Sequence, residues 1–314
     1  PFVAGQRLAG AAEEALGGLA APSARVGSGG GLLQTLMAKV VTKPRRSRKN
    51  VSPVPDAMDA MAGAMPEAVP GSRKKVPGVE DPAVTRLMSE AKAAAAAGDA
   101  GIALKIYEDI VQMDAGNGKM WMKMFLLCRS GKDFAGGREV LRRGLTHLPG
   151  NAILWQAWAD MERGLGKHEV ARKLYRRAME ANPHLASLYN AWGGMERERG
   201  NVKLARELLT KGLKRNPTSA RLHMSLAVLE DVAGNTEVAH AVLSRGLKLE
   251  PDNAHLHHAM GMLEFKRRSL GEARERFRVA TQVDPDFTMA WLSWGRMEEE
   301  LGYADSARDK YAAG

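Results

Sequence analysis

Pro149, Pro183, Pro217, Pro251 and Pro285 stand 34 residues apart from neighbour to neighbour. A strict period of that length is the mark of stacked helical hairpins, each too small to bury its apolar face alone and each completed by the next. A single globular core is therefore the wrong expectation. The spacing predicts an all-α chain whose hairpins coil into a right-handed α-solenoid.

Laying the segments on this period exposes the columns of the repeat. Position 4 of each unit is bulky: Trp121, Trp155, Tyr189, His223, His257 and Trp291. Position 7 holds Met124, Trp158, Trp192, Leu226, Met260 and Trp294, and a small residue follows as Ala159, Gly193, Ala227, Gly261 and Gly295. These predict one face of a helix A. Gly98, Gly166, Gly200, Gly234 and Gly302 then share a column where a residue without Cβ can take positive φ and end that helix. Ala103, Ala171, Ala205, Ala239, Ala273 and Ala307 open a second apolar series. Four residues later it continues as Tyr107, Tyr175, Leu209, Leu243, Phe277 and Tyr311, the i, i+4 spacing of a helix B packed on helix A. The prolines follow helix B, which they cannot extend.

Units are expected to start near residues 84, 118, 152, 186, 220, 254 and 288, so about seven repeats occupy 81–314. The last stops inside its helix B at Gly314, and Pro1 is not a methionine, so the chain reads as a piece of a longer protein. Residues 1–80 are rich in Gly, Ala, Ser, Met and Pro, a composition that buries too little apolar surface to offset chain entropy. Disorder is expected there, with at most a short helix around Leu32 to Val41. The low acid content suits part of an organelle transit peptide, which Glu13 and Glu14 oppose. Lys43-Pro44-Arg45-Arg46-Ser47-Arg48-Lys49 also suits a nuclear import signal or a contact to nucleic acid, and a solvated linker is the third reading.

The net charge of +10 divides evenly, +5 in 1–80 and +5 in 81–314, a mild balance compatible with a polyanionic partner. The single cysteine, Cys128, excludes an internal disulfide and falls on an apolar position of helix A. No stretch approaches the roughly 18 apolar residues needed to span a bilayer, so membrane insertion is not expected. Gly118-Lys119 and Gly131-Lys132 lack the rest of a phosphate-binding loop. His255, His257 and His258 are spaced i, i+2, i+3, which on a helix cannot aim three rings at one metal. With no nucleophile and base in a recognisable constellation, neither catalysis nor a cofactor or metal is expected.

Position 11 carries Glu162, Glu196, Glu230, Glu264 and Glu298, and the alanine opening helix B is followed by Arg172, Arg206, Arg274 and Arg308, with His240 in one unit. A carboxylate in the C-terminal half of helix A opposes that helix's dipole and calls for a cation. The arginine ten residues later, on the antiparallel helix, is the expected partner, giving structural ion pairs Glu162 with Arg172, Glu196 with Arg206, Glu264 with Arg274 and Glu298 with Arg308.

Paired aromatics on helix A, this glutamate, and the Ala-Arg with its following aromatic make the units resemble half-a-TPR repeats, a variant of the tetratricopeptide repeat found mainly in RNA-processing proteins. Leu154-Trp155-Gln156-Ala157-Trp158-Ala159-Asp160-Met161-Glu162 and Trp192-Gly193-Gly194-Met195-Glu196 look closest to chloroplast members of the high-chlorophyll-fluorescence type. The resemblance spans 83–314 and is best from 152 onward, the first unit departing most with Glu90, Ala94 and Leu104 at signature positions. It implies a factor that binds a single-stranded 5′ leader of a photosystem II transcript, blocks exonucleases and keeps a ribosome-binding region unpaired. Splicing-complex scaffolds carry similar repeats, which keeps a protein-binding groove open as the alternative, and with it the nucleus beside the chloroplast.

Packing occupies positions 4, 7, 8 and 11, which leaves positions 2, 5, 9, 12 and 13 of helix A for a concave groove. There the sequence offers Lys119, Arg129, Gln156, Arg163, Asn190, Arg197, Arg221, His255, His258, Lys266 and Arg296 as candidate RNA contacts. Arg129, Arg163 and Arg197 share position 12 and would form a basic stripe along a phosphate backbone, with Gln156 and Asn190 placed to read bases. The stripe breaks at Asp231 and Glu299.

Overall fold

The computed structural model describes residues 82–314. The expectations for 1–80, including the helix near Leu32 and the basic run at Lys43, lie outside the described residues. The described part is all-α and contains fourteen helices. They are α1 (Pro82–Ala96), α2 (Ala100–Met113), α3 (Gly118–Ser130), α4 (Phe134–His147), α5 (Ala152–Gly164), α6 (His168–Ala181) and α7 (Ala186–Glu198). There follow α8 (Val202–Arg215), α9 (Ala220–Val232), α10 (Thr236–Leu249), α11 (Ala254–Lys266), α12 (Leu270–Val283), α13 (Thr288–Glu300) and α14 (Ala304–Ala313). Odd-numbered helices are the helices A of the repeat and even-numbered ones the helices B. The chain divides into two compact units, with described residues 82–188 in one and 189–314 in the other.

The turn between A and B is built alike throughout. Gly98, Gly166, Gly200, Gly234 and Gly302 all have φ between 77° and 92°. After α5 the chain closes with Gly166 N–H donating to the Arg163 carbonyl and Lys167 N–H to that of Glu162, both at 2.9 Å. Two units lack the glycine, and there Lys132 and Arg268 adopt φ of 60° and 65° themselves. On entry to helices A, the Asn151 side chain accepts from the Ile153 and Leu154 amides, and Asn253 does the same for Leu256.

Helix B is held against helix A by its own apolar pair: Ala171 with Tyr175 and Ala273 with Phe277 are wholly buried. Each ring contributes about 2 kcal/mol of apolar burial. The small residue at position 8 admits them, since a Cβ on Gly261 would lie 3.0 Å from the Phe277 ring. Position 4 serves the turn as well as the core. Trp121, Trp155 and Trp291 donate ring N–H to the carbonyls of Ala115, Pro149 and Pro285 at 2.9 Å, and the His257 ring makes the equivalent bond to Pro251 at 2.7 Å. Cys128 is buried, and burial beside Asp133 pushes its thiol above the ordinary value.

The position-11 glutamates are buried, and Glu162, Glu230, Glu264 and Glu298 are ion-paired, but with partners other than the ones expected. Arg206 grips Glu230 with two donors at 2.5 and 2.9 Å, Arg274 grips Glu298 at 2.8 and 2.8 Å, and Arg138 grips Glu162 at 2.6 and 3.0 Å. Each pair is separated by 24 residues: an arginine of one helix B meets the glutamate of the following helix A. The expected spacing of ten is corrected by helix geometry. The preceding alanine faces its own helix A, and one residue further is about 100° round the helix, toward the next repeat. Arg172 bonds Glu169 at 2.7 Å and Arg308 bonds Asp305 at 3.0 Å, both on their own helices. Glu264 is met by His240 at 3.0 Å, with Arg267 at 3.6 Å. Trp158, Trp192 and Trp294 add an indole N–H to Glu162, Glu196 and Glu298 at 3.0–3.1 Å, and Asn201 and Asn235 bond Glu196 and Glu230 at 2.7 and 2.8 Å.

Candidate nucleic-acid interface

Within 82–188 the groove positions of α3 and α5 carry Lys119, Arg129, Gln156 and Arg163. Lys119 and Arg129 are exposed. Arg129 and Arg163 lie in the last turns of their helices, where the carbonyl ends favour a cation. Arg129 also sits over the Phe125 ring at 5.8 Å. Asp160 is set between the arginines. It accepts from the Tyr175 hydroxyl at 2.5 Å, and burial raises its carboxyl while Arg163 and Arg129 oppose that rise. Gln156 is engaged on both ends, donating to Asp160 at 3.5 Å and accepting from Ser187 at 2.8 Å.

Within 189–314 the same positions hold Asn190, Arg197, Arg221, His255, His258, Lys266 and Arg296. Arg221 is exposed and Arg197 half-buried. His255 is exposed, with its ring edge-on to Phe287 at 4.5 Å. Arg296 lies 3.6 Å from Glu300 on its own helix. Asn190 accepts from the Ser225 hydroxyl at 2.5 Å, and Lys266 pairs at 2.7 Å with Asp231, which is buried. His258 is corrected as a surface contact. It is buried, bonded to the Ser293 hydroxyl at 2.9 Å, and close to the rings of Phe277 and Phe287. Burial, with His255 nearby, pulls its pKa down to about 4, so the ring is neutral.

Position 5 thus bonds position 6 of the following helix A, in Asn190 with Ser225 and in His258 with Ser293, and positions 12 and 13 do likewise in Asp231 with Lys266. These residues join helix A to helix A. The serines at position 6 were the readable signal, being polar at one column two units apart. Exposed on 82–188 are Lys119 and Arg129, with Arg163 half-buried, beside exposed Leu126 and Ile153 at positions 9 and 2. On 189–314 they are Arg221, His255 and Arg296, with exposed Val232 and Leu292. Among the described residues no group of three or more His, Cys, Asp or Glu is placed to hold a metal, and no helix is long and apolar enough to cross a membrane.

Two family models of the tetratricopeptide repeat match, one over residues 157–220 and one over 196–263. Tetratricopeptide repeats are recognised in this chain. A solved tetratricopeptide repeat protein from Parabacteroides merdae has the same type of fold at 15% identity, with a TM-score of 0.52 over 74% of this chain and 94% of that one. PilW, a widely conserved type IV pilus biogenesis factor, follows at 19% identity and a TM-score of 0.50, over 63% of this chain and 91% of its own. At such identities the likeness concerns the fold of the repeats alone. No curated protein matches the chain.

Proposed function

We propose that the repeats bind single-stranded RNA along helices A and act by occupancy, as a factor in organellar mRNA processing that protects a leader segment. The observation that carries this reading is the cationic face of 82–188. Lys119 and Arg129 are exposed there, Arg163 is partly so, and the carbonyl ends of α3 and α5 lie beneath the arginines. Cations held this way suit a phosphate backbone. The buried Trp–Glu–Arg network supports the half-a-TPR resemblance from which the RNA reading derives. The chloroplast is the compartment that goes with this reading, with the nucleus as the alternative.

The test is titration of the chain with fluorescent single-stranded RNA pools across a salt series, beside an Arg129→Ala, Arg163→Ala, Arg197→Ala variant. Three phosphate contacts give a log–log salt slope of about −2. That slope should flatten in the variant. Binding that is absent, or unchanged in the variant, overturns the reading. A second reading, a groove for a protein segment, is favoured by exposed Leu126 and Ile153 on the same face, and it would give binding that salt hardly weakens.

A further inference from the structure

His223 stands where four other units place an indole or phenol ring, in Trp121, Trp155, Tyr189 and Trp291. It also fails to make the column's bond to the turn. Where the Trp121, Trp155, His257 and Trp291 rings reach the carbonyl six residues back, the His223 ring turns Nδ1 to the Ser219 carbonyl at 3.0 Å. A smaller ring in a position cut for a larger one leaves space. Between α8, α9 and α10 lies a pocket of about 50 Å³, whose walls are mainly Leu213, Pro217, Leu226 and Val242, with Thr210. At roughly 10–15 Å³ per water this is room for about four waters, the bulk of one large apolar side chain.

The rim of the pocket is cationic. Lys214 and Arg245 line it, both exposed, and among the described residues neither belongs to an ion pair. Lys214 lies in the last turn of α8 beside Arg215. His223 itself is buried, which lowers its pKa and keeps the ring neutral at pH 7. With Nδ1 facing a carbonyl, the proton sits on Nδ1, and Nε2 is left as an acceptor. A nucleobase would want donors and acceptors along its edge, whereas apart from the Thr210 hydroxyl and the His223 ring the interior of the pocket offers alkyl groups.

We propose that this pocket receives one large apolar side chain from an acidic segment of a protein partner, with Lys214 and Arg245 meeting the flanking carboxylates. The site is formed by two helices B and the helix A between them, within 189–314, and the proposal does not depend on RNA binding by 82–188. Tryptophan ranks first as the buried residue, because its indole N–H would supply the donor that Nε2 accepts.

The experiment measures fluorescence polarisation of the full chain with three labelled pools of randomised acidic nonapeptides, their central residue fixed as Trp, Phe or Ser. The Trp and Phe pools should bind at least about tenfold more tightly than the Ser pool, the effect of burying one large apolar side chain. His223→Trp should fill the pocket and weaken the Trp pool about tenfold or more. It should also fold, since Trp121 packs on Gly144 in its own unit as His223 packs on Gly246. Lys214→Glu with Arg245→Glu, both on the surface, should weaken all acidic pools without altering thermal unfolding. Equal binding of Trp and Ser pools, no binding of any pool, or a His223→Trp chain that binds like the wild type overturns the proposal. So would loss of binding to a random single-stranded RNA pool on His223→Trp while the peptides fail, because that result assigns the pocket to a base.

Discussion

Glu230 is 2% exposed, and Arg206 and Asn235 donate to its carboxylate. Removing the arginine strands a buried carboxylate, so Arg206→Ala should lower stability by about 3 kcal/mol in chemical denaturation, whereas Arg308→Ala, whose partner Asp305 is exposed, should change it by less than about 0.5 kcal/mol. His258 acts in the opposite sense, as a base kept neutral by burial. Its folded pKa of about 4 lies below the ordinary 6.5, so between those values the unfolded chain binds the extra proton. Stability is therefore intact above pH 6.5 and falls as pH drops toward 4, with a slope from this residue of at most about 1.4 kcal/mol per pH unit. His257 and His223, also lowered by burial, add to the fall. Denaturation midpoints from pH 7 to 4 should show it, and His258→Gln should make the decline shallower. Residue types such as Glu at position 11 were legible in the sequence, since a charge recurring in an apolar stripe demands a partner. Which arginine supplies that partner was not, because distances of 10 and 24 residues are both compatible with the period. His258 was misplaced on the groove for a related reason: its ring is covered by Phe277 and Phe287 from two other elements, and neither is visible from helix A alone.

The turn between helices A and B shows how far element-level chemistry follows from residue identity. Five glycines with φ near 80° announce the ends of their helices in the sequence, because only glycine takes that conformation freely. Lys132 and Arg268 make the same turn without that freedom, and nothing in their identities marks them for it. Replacing Arg268 by glycine should raise stability by about 0.5–1 kcal/mol, and Gly234→Ala should lower it by about 1 kcal/mol, both read from thermal unfolding. The helices and their apolar faces were likewise legible, as alanine and aromatic columns on a fixed period. The seams between successive helices A were not. They depend on short polar side chains finding each other across a unit, as Asn190 finds Ser225, and no helical periodicity encodes such a pairing.

In a repeat protein, stability is close to a sum over units and the contacts between neighbours. Three of the contacts described above use a bidentate arginine; the one between α10 and α11 uses His240, with Arg267 at a longer distance. That contact should be a weak point, so His240→Arg should shift unfolding upward, by about 1 kcal/mol, and hydrogen exchange should slow in α10 and α11 before it does elsewhere in 189–314. Unchanged exchange would show that Arg267 already meets the whole need of Glu264. The pairing across 24 residues also changes where one repeat ends. The written period begins at helix A, but the buried carboxylates of α5, α9 and α13 are each neutralised by an arginine of the helix B before them. The smallest piece that balances its own charge therefore runs from B to the next A, half a period out of phase with the sequence. A shortened chain that starts at Val202, with α8 in place, keeps the partner of Glu230; one that starts at Ala220 does not, though both keep the same α9 and everything after it.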